Sequence, residues 1–427
     1  MRRATHRLPG LVLTEHVFDV PLDHGQPEGA RLAVFAREVV APDRERDDLP
    51  WLLFLQGGPG YESPRPMDSS GWIGRATEEF RVLLLDQRGT GLSSPVDAAT
   101  LEGLSSPEEQ AAYLRHFRAD AIVRDCELLR AELAGDRPWS VLGQSYGGFC
   151  ATHYLCAAPA GLREVLIAGG LPPLVAHPDE VYRRTYRHCL EKNRRYDERY
   201  PDDRERVRAI AHALAETEAR LPSGDRLTPR RFQTLGSLFG FSDGFETVHY
   251  LVEKAFRDTP RGPRLSHGFL KGFEGASHFD TNPIYSLLHE ACYTQGAASR
   301  WSAERVRAEH AEFDPSADPL LFTGEMIYPW FFEEIGALRP LARAAEILAA
   351  EEGWPVLYDR ELLERNTVPA AAVVYHDDMY VDRELSLETA ESIRGLRVWV
   401  TNELEHNGLR AQGEKVLSRL LDLARGR

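Results

Sequence analysis

Short apolar runs open the chain, each bounded by clusters of Pro, Gly and Asp: VFDVPL, RLAVFAREVV and WLLFLQ. Runs of this length and bounding predict strands, and the first two predict a hairpin joined through HGQPEG. WLLFLQ leads into GGPG and a polar loop, and RVLLLDQRGTG then reads as a buried-type strand ending in a Gly-rich turn. Residues 107–134, opening with PEEQAAYLRHFRAD, carry apolar residues at helical spacing, and Ser106 is positioned as the N-cap. WSVLGQ predicts a strand, SYGGFCATHYLCAA a helix and LREVLIAGG a further strand. Strands that alternate with helices in this way predict a mostly parallel central sheet with helices on both faces.

The rhythm changes near residue 172. VYRRTYRHCLEKNRRYDERY and DRERVRAIAHALAETEARL are long, charged helical segments with no strand between them. Helical patterning continues through FETVHYLVEKAF, NPIYSLLHEACY and SAERVRAEHAEF. Strand signals return in PAAAVVYHDDMYV and LRVWVTNELEHNG, and GEKVLSRLLDLARGR closes the chain as a helix. The expected organisation is a first core segment (1–171), a mostly helical cap (172–345) inserted after a central strand, and a second core segment (346–427). An insertion there would lie over the C-terminal strand ends, where open α/β sheets bind ligands.

Composition narrows the classes of partner. The 427 residues are 43% hydrophobic and 27% charged, and 51 basic against 66 acidic residues give a formal charge of −15. That balance argues against a nucleic-acid surface and against anionic membranes, and it favours cationic ligands through the overall field. MRRATHRLPG contains no apolar h-region, so no secretory signal is expected. The longest nearly apolar run, VLIAGGLPPLVA, is short and holds two prolines, so no membrane span is expected. Five scattered cysteines without a CxxC pair predict free thiols in a reducing cytoplasm, with neither a disulfide framework nor a zinc knuckle.

The chemistry is concentrated in a few motifs. Gly143-Gln144-Ser145-Tyr146-Gly147 is a G-x-S-x-G lying between a predicted strand and a predicted helix. In that setting small residues allow a tight turn that lifts the serine hydroxyl out of the sheet, so Ser145 is the candidate nucleophile. A structural turn serine is the alternative. A serine needs a base, and on such a sheet the chain order is serine, acid, histidine. His406 is the only histidine beyond His376 and lies in a loop before the last helix. Asp378, just past a strand end, is the leading acid, with Asp377 next and Asp382 third. QGGPG follows the third strand, so the Gly58 amide, with that of Tyr146, is the candidate oxyanion hole, and Gly57 is the fallback donor. Asp86 and Arg88 of DQRGTGLS are read as a structural ion pair. HEACY puts Tyr293 where a zinc site of the H-E-x-x-H type needs a second histidine, so no metal is expected.

Taken together, QGGPG, DQRGTGLS, GQSYGG and DDMYV with NELEH resemble the prolyl aminopeptidase (proline iminopeptidase) group of α/β-hydrolase serine peptidases. The larger-chain branch is the nearer match, and the resemblance extends over nearly the whole chain, including GGLPPL and TGEMIYPWFF. In the smaller-chain branch the oxyanion loop begins with His where this chain has Gln56, a swap that leaves the amide donors intact. The resemblance implies an α/β-hydrolase fold, no cofactor, and removal of an N-terminal residue, preferentially proline, from peptide substrates with a free N-terminus. Ser145, Asp378 and His406 fall on the group's triad. Its cap carboxylates read the substrate's amine, and Glu290, Glu246 and Glu325 are the candidates here. Phe241, Phe245, Tyr328 and Trp330 are candidate walls for a proline ring. An esterase or amide hydrolase with the same triad, and a catalytically silent binding module, are the rival readings.

Overall fold

The computed structural model describes residues 2–175 and 177–427. Met1 of MRRATHRLPG and Ala176 at the end of VLIAGGLPPLVA lie outside the described residues. The strands are β1 (Arg2–Leu8), β2 (Leu11–Pro21), β3 (Arg31–Val40), β4 (Trp51–Leu55), β5 (Arg81–Leu85), β6 (Trp139–Gln144) and β7 (Leu162–Ala168). After a hairpin of two-residue strands, β8 (Phe256–Arg257) and β9 (Arg264–Leu265), come β10 (Ala370–Tyr375) and β11 (Leu396–Thr401). Nine of them form one sheet in the order β1-β2-β3-β5-β4-β6-β7-β10-β11. The first three and β5 pair antiparallel, and every pairing from β5 to β11 is parallel. The expected hairpin is the pairing of β2 with β3.

Side-chain alternation explains why both faces are covered. Leu53, Leu83 and Val141 pack into one apolar cluster with helices Ala119–Ala134 and Tyr146–Ala157. Their neighbours Leu52, Val82 and Leu142 pack into another with helices Gly71–Thr77 and Gly413–Ala424. A parallel sheet buried on both faces needs apolar residues at every position, which is what these strands supply. β1 has no such pattern: Thr5, His6 and Arg7 are exposed, so it is held by its ladder with β2 rather than by burial. That is why apolar periodicity does not reveal it.

Two helical expectations are modified. The 107–134 segment breaks at Arg118, between helices Pro107–Leu114 and Ala119–Ala134. Ser106 caps the first, its hydroxyl accepting from the Glu109 amide. Arg118 itself is extended and turned inward, donating to Thr294 O at 2.8 Å and lying 4.6 Å over the Trp354 ring. Between β7 and β10 the elements are helical except for the β8–β9 hairpin, and helix Ala342–Ala349 runs across residue 345.

Asp86 and Arg88 are structural but are not each other's partners, which corrects the expected pair. Arg88, 1% exposed, is bidentate to Asp125 at 2.7 and 2.6 Å and donates to the carbonyls of Pro21, Leu22 and His116. Asp86 instead binds Arg65 at 2.8 and 2.6 Å and accepts the Ser63 and Leu92 amides. Removing one partner strands the other charge in the core, so Asp125→Ala should cost about 3–5 kcal/mol of stability in urea unfolding.

Candidate active site

β6 ends at Gln144, and helix Tyr146–Ala157 begins two residues later. Between them Ser145 adopts φ 53°, ψ −125°, a region that costs a non-glycine residue on the order of 1–3 kcal/mol. The surroundings over-determine that conformation. The Ser145 amide donates to Ala168 O of β7 at 3.0 Å, and its carbonyl accepts from Gly148 at 2.7 Å. A Cβ on Gly147 would overlap the Leu55 carbonyl of β4, so only glycine permits this approach. Tyr146 is the first residue of the helix, and its amide therefore lacks an acceptor within it. Gly57 lies directly against the serine, where an added Cβ would stand 3.0 Å from Ser145 Cβ.

Asp378 and His406 come from the loops after β10 and β11. His406 Nδ1 is 2.7 Å from Asp378 Oδ2, while Oδ1 accepts the amides of Tyr380 at 2.9 Å and Val381 at 3.1 Å. The carboxylate is 1% exposed and fully engaged, which orients the imidazole with Nε2 left free. The other two aspartates are occupied elsewhere. Asp377 binds Arg195 at 2.9 Å and His376 at 2.9 Å. Asp382 caps helix Arg383–Ser392 and binds His188 at 2.7 Å. Helix Pro178–Arg199 grips both loops, since Lys192 binds Glu405, the neighbour of His406, at 2.8 Å, and Arg195 binds Asp377, the neighbour of Asp378.

Ser145 and His406 line one cavity of about 240 Å³ with Gln56, Gly57 and Gly58. Its other walls include Tyr61, Phe241, Phe279, Tyr285, Tyr380 and Glu325. Of the three expected carboxylates, only Glu325 is there. Glu290 is buried away from the cavity lining, its oxygens accepting the Ser302 and Ala303 amides at 3.1 and 2.9 Å. It satisfies the start of helix Ser302–Arg307. Glu246 pairs with Arg199 at 3.0 Å and accepts from Tyr200 at 3.1 Å, also outside the lining. Among the expected aromatics, Phe241 lines the cavity. Phe245 packs on Phe239, and Tyr328 is stacked with Trp330 and bonded to the Tyr186 hydroxyl. The missed walls Tyr61, Tyr285 and Tyr380 sit within or beside the motifs GGPG, NPIYSLLHE and DDMYV.

Residues 50–242 match the family model for the alpha/beta hydrolase fold. The chain is 48% identical over 420 residues to the proline iminopeptidase of Aeromonas sobria, covering 98% of each chain. It is 38% identical over 437 residues to the proline iminopeptidase aneH of Aspergillus aculeatus, covering 100% of this chain and 96% of that one. The chain belongs to the proline iminopeptidase family. It is a hydrolase with the α/β-hydrolase fold, and the helical run between β7 and β10 carries Glu325 to the site.

The electrostatics of this family member turn on burial. His406 loses hydration in the closed site, yet the Asp378 carboxylate overrides that and holds its pKa above the ordinary value. Glu325 is pushed up to about 7, chiefly by burial, with His406 and the Tyr285 hydroxyl pulling it back and Asp378 adding to the rise. Tyr285 donates to Glu325 Oε1 at 2.7 Å. Among the described residues no group of three or more His, Cys, Asp or Glu is arranged to hold a metal ion, and no helix is long and apolar enough to cross a membrane. All five cysteines are free.

A carboxyl whose native pKa lies above its unfolded value loses stability as pH rises between the two. The free protein should therefore carry a penalty on the order of 3 kcal/mol that builds up between the ordinary Glu value and about pH 7. Glu325→Gln should raise the unfolding temperature at pH 8 and change it little at pH 4, as read by calorimetry.

Proposed function

We propose that the chain is a serine aminopeptidase that releases an N-terminal residue, preferentially proline, from peptides through an acyl-enzyme, and that it works in the cytoplasm. In this reading residues 1–171 and 346–427 carry the reaction, and 172–345 form the cap that reads the substrate. The observation that carries it is Glu325, a half-buried cap carboxylate in the same small cavity as Ser145 and His406. A substrate's free amine is largely cationic near neutral pH and supplies the partner that this carboxylate lacks. A neutral ester supplies none.

Ser145 Oγ attacks the carbonyl of the N-terminal residue as His406 Nε2 takes its proton. Asp378 holds Nδ1–H and stabilises the imidazolium that forms. The Gly58 and Tyr146 amides, with Gly57 as the fallback donor, receive the oxyanion. His406 then returns the proton to the leaving amine, and the peptide departs. Water, deprotonated by the same imidazole, cleaves the ester and regenerates Ser145. No step calls for a cofactor.

Incubation with a proline arylamide and with an N-blocked proline ester tests the assignment. The arylamide should be cleaved, with kcat/KM falling below about pH 7 as Glu325 takes up its proton. Protonation of His406, whose proton affinity is raised, should add to the loss on the acid side. Glu325→Gln should cut kcat/KM for the arylamide by about 100-fold, the scale of a lost buried charge partner, and leave the ester within about threefold. An intact arylamide beside a rapidly cleaved ester would establish the esterase reading instead. If neither is cleaved and a fluorophosphonate leaves Ser145 unlabelled, the chain is a binding module.

The choice of acid has its own test. Asp378→Asn should lower kcat by about 10³- to 10⁴-fold. Asp377→Asn breaks only a partly exposed pair and should cost less than about threefold. Steady-state kinetics on the two variants separate these outcomes.

A further inference from the structure

His289 follows helix Pro283–Leu288, is 2% exposed, and takes no part in the reaction above. Its two ring nitrogens face two different side chains. Nδ1 is 3.2 Å from the hydroxyl of Tyr182 on helix Pro178–Arg199, and Nε2 is 3.7 Å from Glu325 Oε2. The other carboxylate oxygen, Oε1, accepts from Tyr285, whose ring centroid lies 5.0 Å from the imidazole.

We propose that His289 is a positioning residue for Glu325, a neutral imidazole whose Nε2–H is aimed at Oε2 in the tautomer that the Tyr182 hydroxyl selects by donating to Nδ1. The proposal rests on the reading of Glu325 as the group that receives the substrate's amine. A neutral imidazole has one N–H and one lone pair. A lone pair turned towards a carboxylate is repelled by it, whereas the tyrosine hydroxyl rotates freely to donate. The 3.7 Å spacing is a charge–dipole contact, of the kind that tightens when a ligand fills a site.

Neutrality is essential to this role. An imidazolium would cancel the Glu325 charge and compete with the substrate's ammonium, while a neutral donor orients the carboxylate and leaves its charge for the ligand. Burial pushes the His289 pKa down to about 3, which keeps the ring neutral throughout the working range. The other titratable groups facing Glu325 are Tyr61, Tyr182, Tyr285, Tyr293, Tyr380 and Cys292, and the charges are those of His406 and Asp378. Around His289 itself stand Tyr182, Tyr285, Tyr293 and Glu325.

The test measures kcat and KM for the proline arylamide and the N-blocked ester across pH, in His289→Phe, His289→Gln, Tyr182→Phe and Glu325→Gln. His406 limits both substrates, so the pH dependence of their kcat/KM ratio isolates the amine-reading group. His289→Phe should raise KM for the arylamide by about 10- to 100-fold, the range for a hydrogen bond to a charged group. It should also move the acid limb of the ratio to higher pH and leave kcat and the ester nearly unchanged. Glutamine brings an amide N–H to the Nε2 position and should restore most of the loss. Tyr182→Phe removes one hydroxyl and should shift both readouts the same way by less, so the proposal stays testable even where His289→Phe fails to fold. An unmoved acid limb and KM in Tyr182→Phe and His289→Phe would overturn it, as would equal losses on the ester. If Glu325→Gln is selective for the arylamide while these variants are not, only the positioning role fails. Equal loss on both substrates in Glu325→Gln removes the reading of Glu325 itself.

Discussion

The close approach of β4, β6 and helix Tyr146–Ala157 at Ser145 is the constraint on which the site depends. The absent side chain at Gly147 lets the helix start against the Leu55 carbonyl, and the Ser145 amide is tied to Ala168 O in the next strand. The serine is therefore held in a conformation it would not choose, and the parallel strands β10 and β11 deliver Asp378 and His406 from the same end of the sheet. Helix Pro178–Arg199 reinforces the arrangement. Lys192 and Arg195 sit three residues apart on one helix and hold the residues immediately preceding His406 and Asp378. The loops after β10 and β11 are thus joined to helix Pro178–Arg199 by two ion pairs.

In and around the cavity the same loss of solvent acts on neighbouring groups with different results. His406 keeps a raised proton affinity because Asp378 stands against it, and Glu325 is raised by burial despite the pull of His406 and the Tyr285 hydroxyl. His289 is lowered by burial alone. In the proposed reaction the free protein holds a carboxylate short of a counter-charge, and the His406 imidazole is neutral so that it can accept the serine proton. In that proposal a substrate ammonium completes the set. In a site walled by Tyr61, Phe279 and Tyr285, that interaction is worth more than it would be in water.

How much could be read from the chain depended on whether a signal was local. The elbow around Ser145 is written within five residues, because the turn itself demands small neighbours. The order of serine, acid and histidine, and the alternation of strand and helix, also survive in one dimension. What failed to show is set by contacts distant in sequence. Asp86 and Arg88 are two residues apart yet find Arg65 and Asp125 as partners. Glu290 lies in a suggestive motif, but its oxygens serve a helix start twelve residues on. Glu246, Phe245 and Tyr328 have the same composition as site residues and face other side chains. β1 escaped because its ladder, not an apolar face, holds it. Tyr61, Tyr285 and Tyr380 were adjacent to recognised motifs, but nothing in a linear pattern says which aromatic ring turns towards a cavity.

Where the substrate's amine goes decides the role of Glu325. A crystal structure of the adduct formed with prolinal, the aldehyde analogue of proline, measures this directly. The account predicts a covalent bond from Ser145 Oγ, the oxyanion against the Gly58 and Tyr146 amides, and the ring nitrogen about 3 Å from Glu325 Oε2, the spacing of a charge-assisted hydrogen bond. A ring nitrogen turned away from Glu325, with the carboxylate still bound only to Tyr285, would contradict it.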